Sequence, residues 1–319
     1  MAEWLVEDGI GEERALLVEN GHAIAARVQW PGELVAGAVM EGVLIARAKG
    51  SPRGRARFPG GEEALVDKLP RDASQGATLR FEIMRGAVGE AARRKLAQAR
   101  PTSAPECPAP SLAQRLGARM VHRFPDCLWE DALEQCWSGI VDFSGGSLHF
   151  SPTPAMVVVD IDGKLAPRDL ALAAVPPLAR AIHLFDLGGV IGVDFPTLQA
   201  KDDRKAADGA LGVALADWDH ERTAMNGFGF VQLVARMEGP SLLHRCRFQR
   251  AAVAARLLLR RAERVDGGSA VELIAHPAVI ACLTEDWIMQ LNRRLGRVVV
   301  IREDPALALE AGFAQAVSA

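Results

Sequence analysis

Two aspartates, each within a short apolar run, are the residues of this 319-residue chain with the clearest potential for chemistry. Asp160 lies in the run 155–163, and Asp194 lies in the run 186–195. β-Branched residues dominate both runs and Gly or Pro bounds them, which is typical of buried strands. The carboxyl ends of neighbouring parallel strands meet at one sheet edge, where open α/β sheets bind ligands. The sequence therefore predicts two carboxylates close together at such an edge.

Two adjacent carboxylates repel each other unless a positive charge compensates them, and a hard divalent cation is a common solution. Mg²⁺ is held by one or two carboxylates and takes water and phosphate oxygens as its other ligands. Residue spacing alone leaves an alternative open, in which each aspartate caps the following turn or pairs with a nearby arginine. A metal site that acts on phosphate groups is the hypothesis that this pair suggests.

The segment between the two runs explains how the aspartates would be positioned. Residues 170–184 have the Ala/Leu spacing of a helix, interrupted by Pro176 and Pro177. Strand, crossover helix and strand in this order predict a βαβ unit with parallel strands.

A glycine-rich run at residues 144–150 (SGGSLHF) precedes the first aspartate-bearing run, 154–163 (PAMVVVDIDG). The two resemble the glycine-rich run and the first aspartate-bearing strand in the catalytic segment of the ribonuclease E/G family. Residues 187–195 (LGGVIGVDF) resemble the run with the second aspartate. The stretch that follows in the family resembles residues 226–230 and 239–242.

The resemblance implies a Mg²⁺-dependent endoribonuclease, with Mn²⁺ as an alternative ion, acting in RNA processing or turnover. Asp160 and Asp194 match the two metal-binding catalytic aspartates. Asp162 stands where the family usually has asparagine, so it is a possible further ligand. Water would attack phosphorus in single-stranded RNA and leave a 5′ phosphate.

Basic and aromatic residues are candidates for RNA contact. The family carries an S1 (OB-type) barrel at a position matching residues 37–100, and such barrels usually stack bases on exposed aromatic rings. Here only Phe58 and Phe81 are aromatic, and Arg55 and Leu65 stand where the family presents rings. Arginine can itself stack on bases and bind phosphate. The candidate RNA contacts are Lys49, Arg53, Arg55 and Arg57 in the barrel, and Lys164, Arg168 and Phe228 near the aspartates.

Two further basic clusters are either phosphate contacts or ordinary solvated faces. They comprise Arg85, Arg93, Arg94 and Lys95, and then Lys201, Arg204 and Lys205. His149, His183 and His220 show no spacing for zinc or for a catalytic triad, so we expect each to be structural.

The chain departs from the family in two places. The Pro-rich linker 101–110 leaves only residues 111–141 before the catalytic segment, so the family's domain that senses a 5′ monophosphate has almost no room. Cleavage should therefore depend little on the 5′ phosphate state. The single Cys246 cannot form the family's two-cysteine zinc link, so any oligomer should not be zinc-linked.

The expected fold class is α/β, as an α+β chain of several subdomains. Asn20-Gly21 predicts a hairpin between strands 15–19 and 23–29. Helices are predicted over 112–120 and 129–137. The predicted divisions are an N-terminal hairpin of an RNase-H-like subdomain (1–36), an inserted S1/OB-like barrel (37–100), a linker (101–110), the helical remainder of the RNase-H-like subdomain (111–141), a DNase-I-like catalytic subdomain (142–250), and a helix with a small α+β domain (251–319).

The helix predicted over 250–265 carries an arginine stripe, at Arg256, Arg260, Arg261 and Arg264. This stripe is either a phosphate-facing surface or an ordinary solvated face.

Composition limits the function classes. A net charge of −3, with 49% hydrophobic and 24% charged residues, describes an ordinary globular chain whose RNA contacts must come from local patches. The five cysteines form no CxxC pair, which favours a reduced cytoplasmic protein. No apolar run reaches about 18 residues, and the N-terminus lacks the basic start of a signal peptide. We therefore expect no membrane partner.

Two rival interpretations stay open. The first is a catalytically weak or inactive RNA-binding or ribosome-associated protein that retains the fold, which the missing sensor, barrel aromatics and zinc link would favour. The second is a metal-dependent phosphodiesterase that acts on something other than RNA.

Overall fold

The computed structural model describes residues 1–90, 94–125 and 127–318, which form a mixed α/β structure. Its main sheets are a four-stranded sheet, a closed five-stranded barrel, a six-stranded sheet and a three-stranded sheet. The expected α/β class with a small barrel is therefore confirmed. None of the helices in these ranges has the length and apolarity needed to cross a bilayer.

The N-terminal strands form an antiparallel meander. They are β1 (Glu3–Gly9), β2 (Glu12–Glu19) and β3 (His22–Gln29). Asn20 and Gly21 have φ angles of 50° and 78°, the left-handed conformation that a tight two-residue hairpin needs. The predicted hairpin is confirmed.

The barrel follows directly after this meander. Its region contains β4 (Val39–Arg47), β5 (Gly54–Arg57), β6 (Glu63–Val66), β7 (Thr78–Arg85), the short strands β8 (Val88–Gly89) and β9 (Arg94–Lys95), and β10 (Ala97–Pro101). The closed order is β10-β6-β5-β4-β7, with β8 and β9 forming a separate hairpin. The fifth strand, β10, has an Ala-rich sequence whose pattern does not predict a strand.

The two aromatic residues of the barrel fill its core. Phe58 and Phe81 are 3% and 0% exposed, and their rings meet edge to face with centroids 5.8 Å apart. Around them the core is built largely from alanine, at Ala38, Ala56, Ala64, Ala97 and Ala99. Because both rings are buried in this core, neither is available for stacking on a base.

The linker 101–110 is largely without regular structure but lies along the barrel. Cys107 and Val39 exchange two backbone hydrogen bonds of 2.8 and 2.9 Å. Ala109 packs against the barrel core.

The chain then returns to the N-terminal sheet. It forms α1 (Leu112–Leu116), β11 (Arg119–Val121) and α2 (Leu128–Ser138). The predicted helix over 112–120 is wrong beyond Leu116, because Gly117 adopts a left-handed φ of 57° that ends the helix. The following residues instead pair with β1 as a parallel strand. On α2, Trp129 and Leu133 are buried.

The six-stranded sheet carries the predicted βαβ unit. The elements are β12 (Ile140–Phe143), β13 (Gly146–Pro152), β14 (Val157–Gly163), α3 (Pro167–Leu184), β15 (Gly189–Asp194), α4 (Lys201–Ala214), β16 (His220–Arg222), β17 (Phe230–Ala235) and α5 (Leu242–Phe248). The strand order is β12-β13-β14-β15-β17-β16. β14 and β15 are parallel, and their other neighbours are antiparallel. The βαβ prediction is confirmed.

Helix α3 is continuous, so the predicted interruption at Pro176 and Pro177 is wrong. Proline removes the hydrogen bond to the carbonyl four residues earlier, and the affected carbonyls belong to Leu172 and Ala173. Both of these residues are partly exposed, and Pro176 is exposed, so solvent can satisfy the freed groups.

Helix α3 lies between β3 and one face of the six-stranded sheet, where Val157, Val159 and Ile161 of β14 are buried. The alternate residues of β14 project from the opposite face, and Asp160 and Asp162 are exposed there. We call this second side the open face.

The C-terminal region adds a helix and a small sheet. It contains α6 (Arg250–Ala262), β18 (Ala270–Ala275), α7 (Pro277–Ile280), α8 (Glu285–Leu295), β19 (Val298–Glu303), a 3₁₀ turn (Leu309–Ala311) and β20 (Phe313–Val317). The sheet order is β19-β18-β20, with β18 parallel to β19.

Both interpretations of the α6 arginine stripe are wrong for its first two residues. Arg256 and Arg260 are 8% and 2% exposed. The guanidinium carbon of Arg256 lies 3.6 Å from the ring centroid of Trp30 and 4.6 Å from that of Trp287. Burial lowers the pKa of Arg256 to about 10, so it is still charged at neutral pH. This side of α6 supports the N-terminal sheet and does not face solvent or a ligand.

Candidate active site

Asp160 and Asp194 are register partners on the parallel strands β14 and β15. Register partners on neighbouring strands lie about 4.8 Å apart and project from the same face. Both aspartates are exposed on the open face. The structure therefore brings the two residues together as the sequence predicts.

The pairing extends into a row of four residues across the open face. On one side, His149 of β13 is the register partner of Asp160. On the other side, Phe230 of β17 is the register partner of Asp194. Two carboxylates thus lie in the middle of the row, with an imidazole and an aromatic ring at its ends.

Asp162 lies on the same face as Asp160, two residues further along β14, which corresponds to about 6.6 Å. Its register partner is Ser147 of β13, and Asp162 is exposed. β15 ends at Asp194, so Asp162 lies beyond the two-carboxylate row toward the carboxyl edge of the sheet.

The carboxylates of the pair are exposed to solvent. Across the ranges that the structure describes, neither the Asp160 nor the Asp194 carboxylate forms a hydrogen bond or an ion pair, which argues against the capping and arginine-pairing alternatives. The same ranges contain no group of three or more His, Cys, Asp and Glu side chains arranged to hold a metal. Two exposed carboxylates with free coordination space suit Mg²⁺, which keeps several waters and accepts phosphate oxygens. They do not suit zinc, which takes three or four nitrogen or sulfur ligands.

A glycine allows side chains to pack across this face. A Cβ atom on Gly192 would lie 2.5 Å from the Phe230 ring and 2.9 Å from the sulfur of Met156. Since Gly192 is two residues before Asp194, the side chains of Phe230 and Met156 cover the sheet on the amino side of the carboxylates.

The turn that precedes β17 presents an exposed aromatic ring. Phe228 is 82% exposed, and the Oδ1 of Asn226 accepts hydrogen bonds from the backbone N–H groups of Phe228 and Phe230. Gly229 has a φ of 92°, and a Cβ there would lie 2.6 Å from the carbonyl oxygen of Phe195. The turn is therefore held against the end of β15, next to Asp194, with its ring in solvent.

The basic candidates near the aspartates differ in their surroundings. Lys164 is exposed and forms no side-chain bond within the described ranges. Arg168 instead forms an ion pair of 3.1 Å with Asp203 of α4. Arg204 donates to the carbonyl oxygens of Leu198 and Gln199, which fixes the start of α4.

The four barrel candidates lie on its outer surface. Lys49, Arg53, Arg55 and Arg57 are all exposed. Arg55 and Arg57 lie 3.3 and 2.8 Å from the two carboxylate oxygens of Glu63. One carboxylate therefore neutralises only part of the local charge. None of the four forms a hydrogen bond or ion pair with the six-stranded sheet within the described ranges.

The basic cluster that includes Arg85, Arg94 and Lys95 holds the β8–β9 hairpin in place. Arg94 pairs with Glu62 at 2.6 Å, and Lys95 donates to the carbonyl oxygen of Pro154 at 2.9 Å. Arg85 donates to the carbonyl oxygen of Leu96. Arg93 lies outside the described residues.

The three histidines have different roles. His183 and His220 both pack against Trp218, with ring centroids 6.4 and 4.9 Å from the indole, and burial lowers the pKa of His183. These two are structural, as expected. His149 instead belongs to the row on the open face, where its ring is half-buried and bonded to Ser147. The alternation of Ser147, His149 and Ser151 with buried Leu148 and Phe150 was the available signal.

No model of a known protein family matches the chain. Part of it is 32% identical to ribonuclease G of Escherichia coli strain K12 over 113 residues, which are 32% of this chain and 23% of that protein. The ribonuclease G proteins of Shigella flexneri and Salmonella typhimurium match with the same identity over the same length. The match thus spans less than a quarter of these relatives, and it supports at most a distant relationship to the ribonuclease E/G family.

Proposed function

We propose that this protein is a Mg²⁺-dependent endoribonuclease that cleaves single-stranded RNA and leaves 5′-phosphate ends. The observation that carries the proposal is the register pairing of Asp160 and Asp194, two exposed carboxylates without protein partners in the described ranges, on one open sheet face. The partial similarity to ribonuclease G supports RNA as the substrate. RNA processing or turnover is the corresponding biological role.

Asp160 and Asp194 are the proposed ligands of the cation, which is Mg²⁺ or alternatively Mn²⁺. When bound, such an ion lowers the pKa of a water molecule and neutralises charge on a phosphoryl oxygen. The two carboxylates provide the negative charge that holds the ion beside the RNA backbone. Asp162, one step further along β14, is a proposed additional contact to the ion or to its water.

The surrounding residues would hold the RNA strand. Phe228 offers an exposed ring for base stacking beside Asp194, and each such stack contributes about 1–3 kcal/mol to binding. Lys164 and Arg168 are proposed phosphate contacts, although Arg168 must compete with its ion pair to Asp203. Lys49, Arg53, Arg55 and Arg57 would guide the strand through charge.

We also propose the finer subdomain assignment. The meander β1–β3 with β11, interrupted by the barrel, suits an RNase-H-like subdomain with an inserted S1/OB-like barrel. The six-stranded sheet with helices on one face suits a DNase-I-like catalytic subdomain. Cys246 is fully buried, so the proposal includes no zinc link between subunits.

The test uses a labelled AU-rich single-stranded RNA and the purified protein with Mg²⁺, with Mn²⁺ and with EDTA. The matched variants are Asp160→Asn/Asp194→Asn and, as a control, Asp266→Asn, an exposed aspartate in the loop between α6 and β18. We expect internal cuts with the divalent ion that disappear in EDTA and in the double variant, but persist in the control. The 5′ ends of the products should be phosphorylated.

Three other outcomes would contradict the proposal. RNA retention in a gel shift without cutting would favour an RNA-binding protein that has kept the fold. Cleavage of small phosphodiesters but not RNA would indicate a different substrate class. Cutting that survives the double substitution would show that the site is elsewhere or that the activity is a contaminant.

A further inference from the structure

His149 lies next to the proposed metal-binding pair and takes no part in the function described above. It is one strand from Asp160, in the same row of the open face, at the usual strand spacing of about 4.8 Å. It is half-buried, so part of the ring is accessible. A strand of RNA whose phosphate is held over Asp160 and Asp194 would bring a neighbouring sugar close to this ring.

The ring is held in place through one nitrogen. The Nε2 of His149 lies 2.9 Å from the Oγ of Ser147, two residues earlier on the same face. Within the described ranges, Nδ1 has no hydrogen-bond partner. A neutral imidazole has one donor and one acceptor nitrogen. Nδ1 therefore keeps one hydrogen-bonding function for a ligand.

The proposed chemistry requires a group that distinguishes RNA from DNA. Because water attacks the phosphorus, the reaction does not use the ribose 2′-hydroxyl. Two carboxylates with a cation would therefore treat a ribose and a deoxyribose diester alike. The 2′-hydroxyl both donates and accepts hydrogen bonds, so it can pair with Nδ1 in either tautomer of His149.

We propose that His149 is a specificity-determining residue, which binds the 2′-hydroxyl of a nucleotide next to the scissile phosphate through Nδ1. Ser147 is then a positioning residue that fixes the ring. This inference rests on the proposed function, because it assumes that RNA lies across the open face.

The experiment measures binding, so that it does not depend on cleavage. Affinities are measured with Ca²⁺ in place of Mg²⁺ for a short AU-rich oligonucleotide, in all-ribose form and in all-2′-deoxy form with the same bases. The variants are His149→Phe, which keeps a ring, His149→Asn, which keeps a polar group near the Nδ1 position, and Ser147→Ala. His22→Phe is the control, since His22 is exposed at the start of β3. Thermal unfolding of each variant verifies that it is folded.

We expect the wild-type protein to prefer the ribose form, and His149→Phe to reduce this preference by about 5- to 10-fold, as for the removal of one hydrogen bond. Ser147→Ala should give a smaller reduction, His149→Asn should keep part of the preference, and His22→Phe should not change it. An unchanged ribose preference in folded His149→Phe would overturn the inference. Equal loss of affinity for both oligonucleotides would do so too, because it would indicate a phosphate or packing role.

The two proposals fail in different ways. A wild-type protein that binds RNA with a His149-dependent ribose preference but does not cut it with Mg²⁺ or Mn²⁺ would refute the nuclease and keep the inference. A protein that cuts RNA without such a preference would support the nuclease and refute the role of His149. Failure to bind either oligonucleotide would refute both.

Discussion

Asp160 and Asp194 lie opposite each other on β14 and β15, and within the described ranges neither carboxylate has a compensating partner. Like charges that face each other across strands destabilise a sheet, and a cation that binds both stabilises the native state. We therefore expect millimolar Mg²⁺ to raise the melting temperature of the wild-type protein, but not that of Asp160→Asn/Asp194→Asn. In EDTA the double variant should melt at the same temperature as the wild type or higher. Equal Mg²⁺ shifts in both proteins would place the ion elsewhere.

Phe228 is the most exposed large aromatic side chain near the pair. The substitution Phe228→Ala should weaken binding of single-stranded RNA by about 1–3 kcal/mol, the range for the removal of one base stack. The free energy of unfolding should change little, because the ring makes little contact with the core. Phe313→Ala in β20, which is 40% exposed, is the matched control and should not alter RNA affinity. Fluorescence anisotropy with a labelled oligonucleotide gives both affinities, and equal weakening in the two variants would contradict a stacking role.

Glu63 pairs with both Arg55 and Arg57 on the barrel surface. Its substitution therefore tests whether these arginines bind RNA phosphates or form an ordinary solvated surface. If these arginines bind RNA phosphates, Glu63→Gln should strengthen binding by freeing them. Arg55→Gln/Arg57→Gln should weaken binding and lower the salt slope of log K by roughly 0.7 for each phosphate that is no longer neutralised. Affinities at several salt concentrations test this. If Glu63→Gln leaves affinity unchanged or lowers it, the ion pairs are an ordinary solvated surface.

Arg260 of α6 is 2% exposed and forms ion pairs with Glu7 of β1 and Glu130 of α2. Although burial by itself raises the pKa of Glu7, the charges of Arg14 and Arg260 lower it below its usual value, so Glu7 is ionised at neutral pH. Without Arg260, Glu7 keeps only Arg14 as a buried cationic partner, and Glu130 keeps only Arg264. A buried charge left with no partner costs about 3–5 kcal/mol, so we expect Arg260→Met to lower the free energy of unfolding, measured with urea, by less than this range.

The double variant Glu7→Gln/Arg260→Met is the control for this prediction. It should recover part of the missing stability, because the buried charge is removed with its partner. A single variant as stable as the wild type would show that the pair is not a structural support.

His244 of α5 makes stability depend on pH. Burial, together with the nearby charge of Lys95, lowers its pKa to about 4, against about 6.5 for an unfolded histidine. Between these two values the unfolded chain binds a proton that the native chain does not. The resulting contribution to the free energy of unfolding, up to about 3 kcal/mol, is fully present above pH 6.5 and is lost as the pH falls toward 4.

Urea unfolding at pH 7.5 and pH 4.5 tests this dependence. His244→Gln should be less stable than the wild type at pH 7.5, and the difference should shrink at pH 4.5. His22→Gln, at an exposed position, should keep the full wild-type dependence. An unchanged pH dependence in His244→Gln would assign the effect to other groups.

The parallel pairing of Asp160 and Asp194 was predictable because it follows from local signals. Two β-branched runs and an Ala/Leu crossover segment suffice to define a βαβ unit, and the unit itself brings its strand ends together. The row that includes His149 and Phe230 was harder to predict, because it depends on the register of antiparallel neighbours. A shift of one residue would have turned His149 to the buried side.

Other errors arose where tertiary contacts override local preference. The arginine stripe on α6 predicts a side that faces solvent or phosphate, yet Arg256 is buried between Trp30 and Trp287, two rings that are distant in sequence. The local pattern over residues 112–120 predicts a helix and not the strand β11. This strand depends on pairing with β1, more than a hundred residues earlier.

That pairing also affects the order in which the protein can fold. Leu5 and Arg119 are register partners, and the whole barrel is inserted between them in the chain. During synthesis, β1 can pair with β2 early, but its other edge stays unpaired until β11 has emerged. Glu7 can pair with Arg14 of β2 at this stage, but its second cationic partner, Arg260, is synthesised only after the six-stranded sheet. Long-range closure of this kind slows folding and leaves a strand edge exposed to other chains. Destabilising substitutions in β11 or at Arg260 should therefore promote aggregation of newly made chains before they impair the six-stranded sheet.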